Sequence, residues 1–160
     1  MSGRPGALAG LAQVPWPEIK DSTGSAAGIP YLLADVARGD EAAATGALDQ
    51  LRARICQYGF VVDQATAATV PFLWELVQLP QVPCRARILR LLKDIADARQ
   101  WETTAASYPK LLRHRDNYVE WERAARRAVR AQRGVLDRLP AEPDPDIARA
   151  RAELAATIGG

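Results

Sequence analysis

The chain has 160 residues, 48% of them hydrophobic and 25% charged, which suits a single domain with an apolar core and excludes a chain disordered throughout. No stretch approaches the roughly 18 apolar residues of a membrane-spanning helix, and the N-terminus lacks the basic start and long apolar run of a signal peptide. Net charge is +2 but unevenly placed: residues 1–80 carry 5 Lys/Arg against 8 Asp/Glu, and residues 81–160 carry 16 against 11, a polarity too modest to signify nucleic-acid binding by itself.

Residues 1–27 contain Gly, Ser and Pro without lasting periodicity and read as an extended or frayed leader, with Trp16 between Pro15 and Pro17 pinning part of it. From residue 28 onward the pattern is helical. Pro30 suits a first helical turn, and Leu32, Leu33, Val36 and Ala37 supply a short apolar face. Gly39 breaks this helix and Asp40 can cap the next. Ala44, Leu48, Leu51 and Ile55 then form one amphipathic stripe, ended by Gly59. Phe60-Val61-Val62 lacks a partner run, so a buried connection is expected rather than a strand. Thr66 is expected to cap a helix that turns Val70, Leu73 and Val77 inward, with Pro71 near its start.

The next helix is expected from about Pro83, with Cys84, Ile88, Leu91, Leu92 and Ile95 inward. Tyr108-Pro109 suggests a bend, and residues 98–116 are expected to form a loop with a short helical turn near Lys110–Arg113. A long helix follows from about Asn117 to Arg133. Its inward stripe is expected at Tyr118, Trp121, Ala125 and Ala128, opposite a broad arginine side. Pro140 stops the chain before Asp144 caps a last helix, with Ile147, Ala150, Leu154 and Ile158 inward.

Three segments repeat one design, a short apolar helix end, a break and a longer Ala/Leu/Ile-rich helix: Leu33 to Ile55, Leu76 to Ile95 and Leu136 to Ile158. Helix pairs recurring at roughly 40 residues indicate a HEAT or armadillo-type stack, because one pair cannot bury its apolar face alone. The expected fold is all-α, a short α-solenoid of about three helix pairs over residues 28–160.

The runs Ala47-Leu48-Asp49-Gln50-Leu51, Gln57-Tyr58-Gly59 and Ala65-Thr66-Ala67-Ala68-Thr69-Val70-Pro71-Phe72-Leu73 resemble the HEAT-like repeat proteins common in actinobacteria. Trp16 with Pro30-Tyr31-Leu32-Leu33, and Asp144-Pro145-Asp146-Ile147-Ala148-Arg149, look like theirs too. The resemblance covers about residues 14–158. It departs where Cys56-Gln57-Tyr58-Gly59 stands in place of a His-Gln-Gly stretch, and where residues 98–116 lengthen the repeat. The abundance of Ala and Arg beside only three lysines, Lys20, Lys93 and Lys110, agrees with a GC-rich genome of that kind. The resemblance implies a binding scaffold, and small relatives include immunity partners of toxins.

No catalytic constellation is found. His114 is the only histidine and lies in a basic, surface-type stretch, so neither a His-based metal site nor a triad is expected. Cys56 and Cys84 occupy apolar helical positions and are expected in a reduced core, which fits a cytoplasmic chain. No phosphate-binding glycine loop is present. Asp94 with Asp97 on a helix, and Asp144 with Asp146 at a helix start, suit solvated or dipole-paired acids. No cofactor or metal is expected.

The candidate partner-binding residues are Arg123, Arg126, Arg127, Arg130 and Arg133, which share one broad side of a helix, and Trp101, since Trp is enriched at binding hot spots. The arginines suit a solvated face paired with Glu120 and Glu122, a patch for an acidic protein, or a phosphate-binding surface. The leading expectation is a non-catalytic protein-binding module, in one setting an immunity-type inhibitor occluding a cognate toxin. The alternative is a nucleic-acid-binding HEAT-like module or DNA glycosylase-like enzyme.

Overall fold

The first helices of the computed structural model, which describes residues 8–112 and 117–159, begin and end where local chemistry dictates. Helix α1 (Ile29–Arg38) carries Pro30 in its first turn. It stops at Gly39, where a β-carbon would lie 2.7 Å from the Asp35 carbonyl oxygen and 2.9 Å from the Ala43 β-carbon. Asp40 then caps α2 (Glu41–Ile55), its Oδ1 accepting the Ala43 N–H at 2.9 Å. Ala44, Leu48, Leu51 and Ile55 are all buried, as their spacing predicts.

The leader is folded rather than frayed over residues 8–28. Trp16 is buried against Phe72 with ring centroids 6.0 Å apart, and its indole N–H donates to the Leu11 carbonyl. Strands β1 (Lys20–Asp21) and β2 (Gly24–Ser25) pair antiparallel. The buried Asp21 accepts from the Thr23 N–H, the Thr23 hydroxyl and Arg54 of α2 at 2.7, 2.6 and 3.0 Å. Two sequence-distant anchors, one aromatic and one ionic, thus hold a segment that has no periodicity of its own.

The connection after α2 also departs from expectation. Strand β3 (Cys56–Gln57) pairs antiparallel with β4 (Val61–Val62), so the missing partner run is the end of the helix itself. The turn places Gly59 at φ +85° and Tyr58 at φ +60°, the left-handed region that favours glycine. Val62 is buried, but Phe60 is exposed.

Asp63, not Thr66, caps α3 (Gln64–Val77). Thr66 sits at the third helical position and closes a reciprocal box, its hydroxyl accepting the Asp63 N–H and donating to the Ile55 carbonyl. Pro71 lies mid-helix rather than near the start. Val70, Leu73 and Val77 are buried, and so is Trp74.

Helix α4 (Arg85–Asp97) buries Ile88, Leu91, Leu92 and Ile95. Both cysteines are buried and unpaired, though at non-helical positions: Cys56 in β3 and Cys84 at the α4 cap. Burial pushes the Cys56 thiol up to about 12, with the nearby Asp94 carboxylate adding to the effect, and raises that of Cys84 too.

Residues expected as a loop contain helix α5 (Gln100–Ser107), followed by a short helical turn at Pro109–Leu112. Helices α6 (Tyr118–Ala131), α7 (Gly134–Arg138) and α8 (Pro145–Ile158) complete the chain, α8 being capped by Asp144. One run of contacts leads from α1 to α3 to α6. A second links α2 to α4 through the Arg52–Asp94 and Arg87–Asp49 ion pairs, and α4 to α8 by close packing. The fold is mostly helical, with the two hairpins as its strand content among the described residues. No described helix is long and apolar enough to cross a membrane.

Candidate functional site

Helix α6 carries most of the candidate residues, and its orientation decides their roles. Its buried residues are Glu122, Ala125, Arg126 and Val129. Tyr118, Trp121 and Ala128, expected at the centre of the inward stripe, are only half-buried. The inward face is therefore turned toward the charged flank, and Arg126, expected on the exposed side, is 8% accessible. This corrects its placement on the exposed side of the helix. Hydropathy misplaces the face because the helix turns two charged residues toward α5 and compensates them there.

The compensation is specific. The fully buried Glu122 carboxylate accepts the backbone N–H groups of Trp101 and Glu102 at 2.9 and 3.0 Å. The Arg99 side chain, at the cap of α5, accepts no backbone N–H, so Glu122 of α6 satisfies from outside the helix start that Arg99 leaves open. Arg126 lies 3.3 Å from Glu122, 2.6 Å from Glu102 and donates to the Ala98 carbonyl at 2.8 Å. Trp101 stacks on Tyr118 at 4.4 Å, and its indole N–H donates to the Val62 carbonyl at 2.9 Å. Proposed from sequence as a contact residue, Trp101 is half-buried and joins α5 to β4 and α6. What remains of its ring at the surface is held rigid.

Of the other four arginines, Arg123, Arg127 and Arg130 lie on α6, which ends at Ala131 rather than at Arg133 as expected, and Arg133 stands at the cap of α7. Arg123 pairs with Glu102 at 3.0 Å and Arg127 with Glu120 at 2.7 Å. Hydrogen bonds from Arg126 and then Arg123 hold the Glu102 carboxyl below its usual range, and Arg127 does the same for Glu120. Arg130 is half-buried and Arg133 exposed, and their side chains have no hydrogen-bond or ion-pair partner among the described residues. They line a cleft of about 630 Å³ at the C-terminal ends of α6 and α8, together with Leu136, Asp137 and Ile158. Its neighbour on α6 is a shallow groove lined by Arg123, Arg126, Arg127, Arg130 and Ala131.

Sequence reasoning missed Glu122 and Glu102 as the organisers of this region. The four-residue spacing of Glu122 and Arg126 was a visible signal; the reach of Glu102 from α5 had none. It also passed over Tyr58, which stands 78% exposed at the hairpin tip beside Phe60, ring centroids 6.2 Å apart. His114 lies outside the described residues. Asp94 pairs with Arg52, and Asp146 with Arg90. Among the described residues no group of three or more His, Cys, Asp or Glu side chains is placed to hold a metal ion.

Compared with protein-family models, with curated proteins and with solved structures, the chain matches none.

Proposed function

We propose that this chain is a non-catalytic, protein-binding module of the HEAT-like type: a short α-solenoid of about three helix pairs, working in the cytoplasm. The two runs of contacts, α1 to α3 to α6 and α2 to α4 to α8, support the stacked reading, since neighbouring pairs in such a stack meet like helix to like helix. The observation that carries the function is the outer flank of α6, where Arg123, Arg127 and Arg130 stand on one helix and Arg133 follows at the cap of α7. Such a surface recognises an acidic protein by charge complementarity, which speeds encounter and sets register. Occlusion of a cognate toxin by an immunity-type inhibitor is the setting that best suits a small rigid binder without chemistry of its own.

The nucleic-acid reading draws on the same arginines, but two of the four already hold internal carboxylates, and the aromatics nearest the basic flank, Trp101 and Tyr118, stack on each other. Affinity capture from the native host, with wild-type bait beside the triple variant Arg123→Glu, Arg127→Glu and Arg130→Glu, tests the proposal. A protein retained by the wild type and lost by a folded triple variant is the expected result. Equal capture by both, or tight salt-dependent binding of duplex DNA with no protein partner, overturns it.

A further inference from the structure

The arginine flank is not uniform, and its gradient locates the point of recognition. Toward the N-terminal end of α6, Arg123 and Arg127 are held by Glu102 and Glu120 at 3.0 and 2.7 Å. A ligand there must displace an ion pair before it gains one. Toward the C-terminal end, Arg130 and Arg133 hold no acid among the described residues. A guanidinium without a partner presents its full fork of donors, matched to a carboxylate that can take two parallel hydrogen bonds.

The surroundings select among anions. Leu136, Ile158, Ala131 and Ala155 supply the apolar part of the cleft's lining, beside the two arginines. Asp137 also lines it, together with Gly159 at the C-terminal end of α8. Helix C-termini carry partial negative charge. A run of closely spaced phosphates entering here meets Asp137 and the ends of two helices as well as the two arginines. An acidic side chain flanked by aliphatic ones meets the two arginines together with the apolar part of the lining, Ala131, Leu136, Ala155 and Ile158.

We infer that the cleft between the C-terminal ends of α6 and α8 is the recognition centre of the basic flank, and that its occupant is a protein segment alternating acidic and aliphatic side chains, held by Arg130 and Arg133. This rests on the protein-binding reading above and narrows it from a whole helix flank to one cleft. Arg123 and Arg127 stand outside that centre, where rim charges affect the rate of encounter more than affinity.

The experiment is fluorescence anisotropy with a labelled peptide of alternating glutamate and leucine. Controls are the same peptide with glutamine for glutamate, and a short duplex DNA of matched label. The expected result is saturable binding of the acidic peptide alone, weakened about tenfold by Arg130→Gln with Arg133→Gln. The pair Arg123→Gln with Arg127→Gln is expected to change it less than about twofold. All four residues are accessible, so far-UV circular dichroism is expected to stay unchanged in each variant. Equal losses from the two pairs overturn the cleft while leaving the flank as a protein-binding surface. No binding of the acidic peptide, or equal binding of the glutamine peptide, overturns the cleft as well. Tighter binding of DNA, lost in the Arg130/Arg133 pair, assigns the cleft to nucleic acid and removes the protein-binding reading with it.

Discussion

Two helix contacts in this molecule are built on opposite principles. Where α4 meets α8, α4 brings Ile88, Leu91, Leu92 and Ile95 and α8 brings Ala150, Leu154 and Ile158, all buried. The charges stay at the edge, as in the Arg90–Asp146 pair. Where α5 meets α6, the buried groups include Glu122 and Arg126, and the contact consists of named hydrogen bonds. Apolar burial is non-directional, and each buried side chain of leucine size contributes about 1.5–3 kcal/mol. A buried ionic contact adds little net stability, but it admits one geometry, because each member is costly to leave unpaired. The α4–α8 contact therefore holds those two helices together, and the α5–α6 contact fixes where α5 sits.

The largest effect expected from this difference is at Glu122. Glu122→Ala leaves Arg126 without its buried neighbour and two backbone N–H groups at the start of α5 without an acceptor. The expected cost is about 3–5 kcal/mol, read from the urea midpoint. For a plain buried ion pair, replacement of both partners by apolar residues is often harmless. Here Glu122→Leu with Arg126→Met is expected to stay destabilised, since the Trp101 and Glu102 N–H groups still lose their acceptor. A double variant as stable as the wild type would reduce the contact to an ordinary ion pair.

In the apolar contact, Leu92→Ala removes a fully buried side chain and is expected to cost about 3 kcal/mol. The sharper distinction is spatial. Hydrogen exchange in Leu92→Ala is expected to quicken across α3, α4 and α8 together, because the cavity lies in the shared interior. In Glu122→Ala the faster exchange is expected to centre on α5. The same exchange pattern in both variants would show that the two contacts belong to one cooperative unit.

The same contrast explains what the sequence made legible. Apolar stripes at 3.6-residue spacing placed α2, α4 and α8, and side chains that cap locally, Asp40 and Asp144, marked the starts of α2 and α8. These signals lie within a few residues of what they determine. The misplaced features depend on distant partners. Asp21 finds Arg54 thirty-three residues away, Glu122 finds the start of α5, and the β3 strand pairs across a turn held by Gly59. Of the candidate site, the arginine flank was visible as helical spacing. The burial of Arg126 was not, because no periodicity rule turns a charged residue inward. Nor was the division between paired and unpaired arginines, which depends on how far Glu102 reaches from a helix the sequence did not reveal.

The smallest expected effect is at a third kind of buried charge, one with neither an apolar replacement nor a full set of partners. Asp63 caps α3, yet its Oδ2 is buried without a hydrogen-bond partner among the described residues. Burial, and secondarily the Asp21 carboxylate, push its carboxyl up to about 6 from the ordinary 3.8. The folded protein thus keeps this proton in a range where the unfolded chain has lost it. The stability contributed by this group is present below pH 3.8 and is lost as pH rises to about 6. Asp63→Asn keeps a good capping side chain and removes the charge. Because Asp63 retains contact with water, the expected gain at neutral pH is about 1 kcal/mol, or ~2–4 °C in Tm, shrinking toward zero near pH 4. The measurement is Tm against pH for both proteins. Curves that run parallel from acid to neutral pH would mean that Asp63 titrates as it does in the unfolded chain, and that its carboxylate has found in water the partner the protein does not supply.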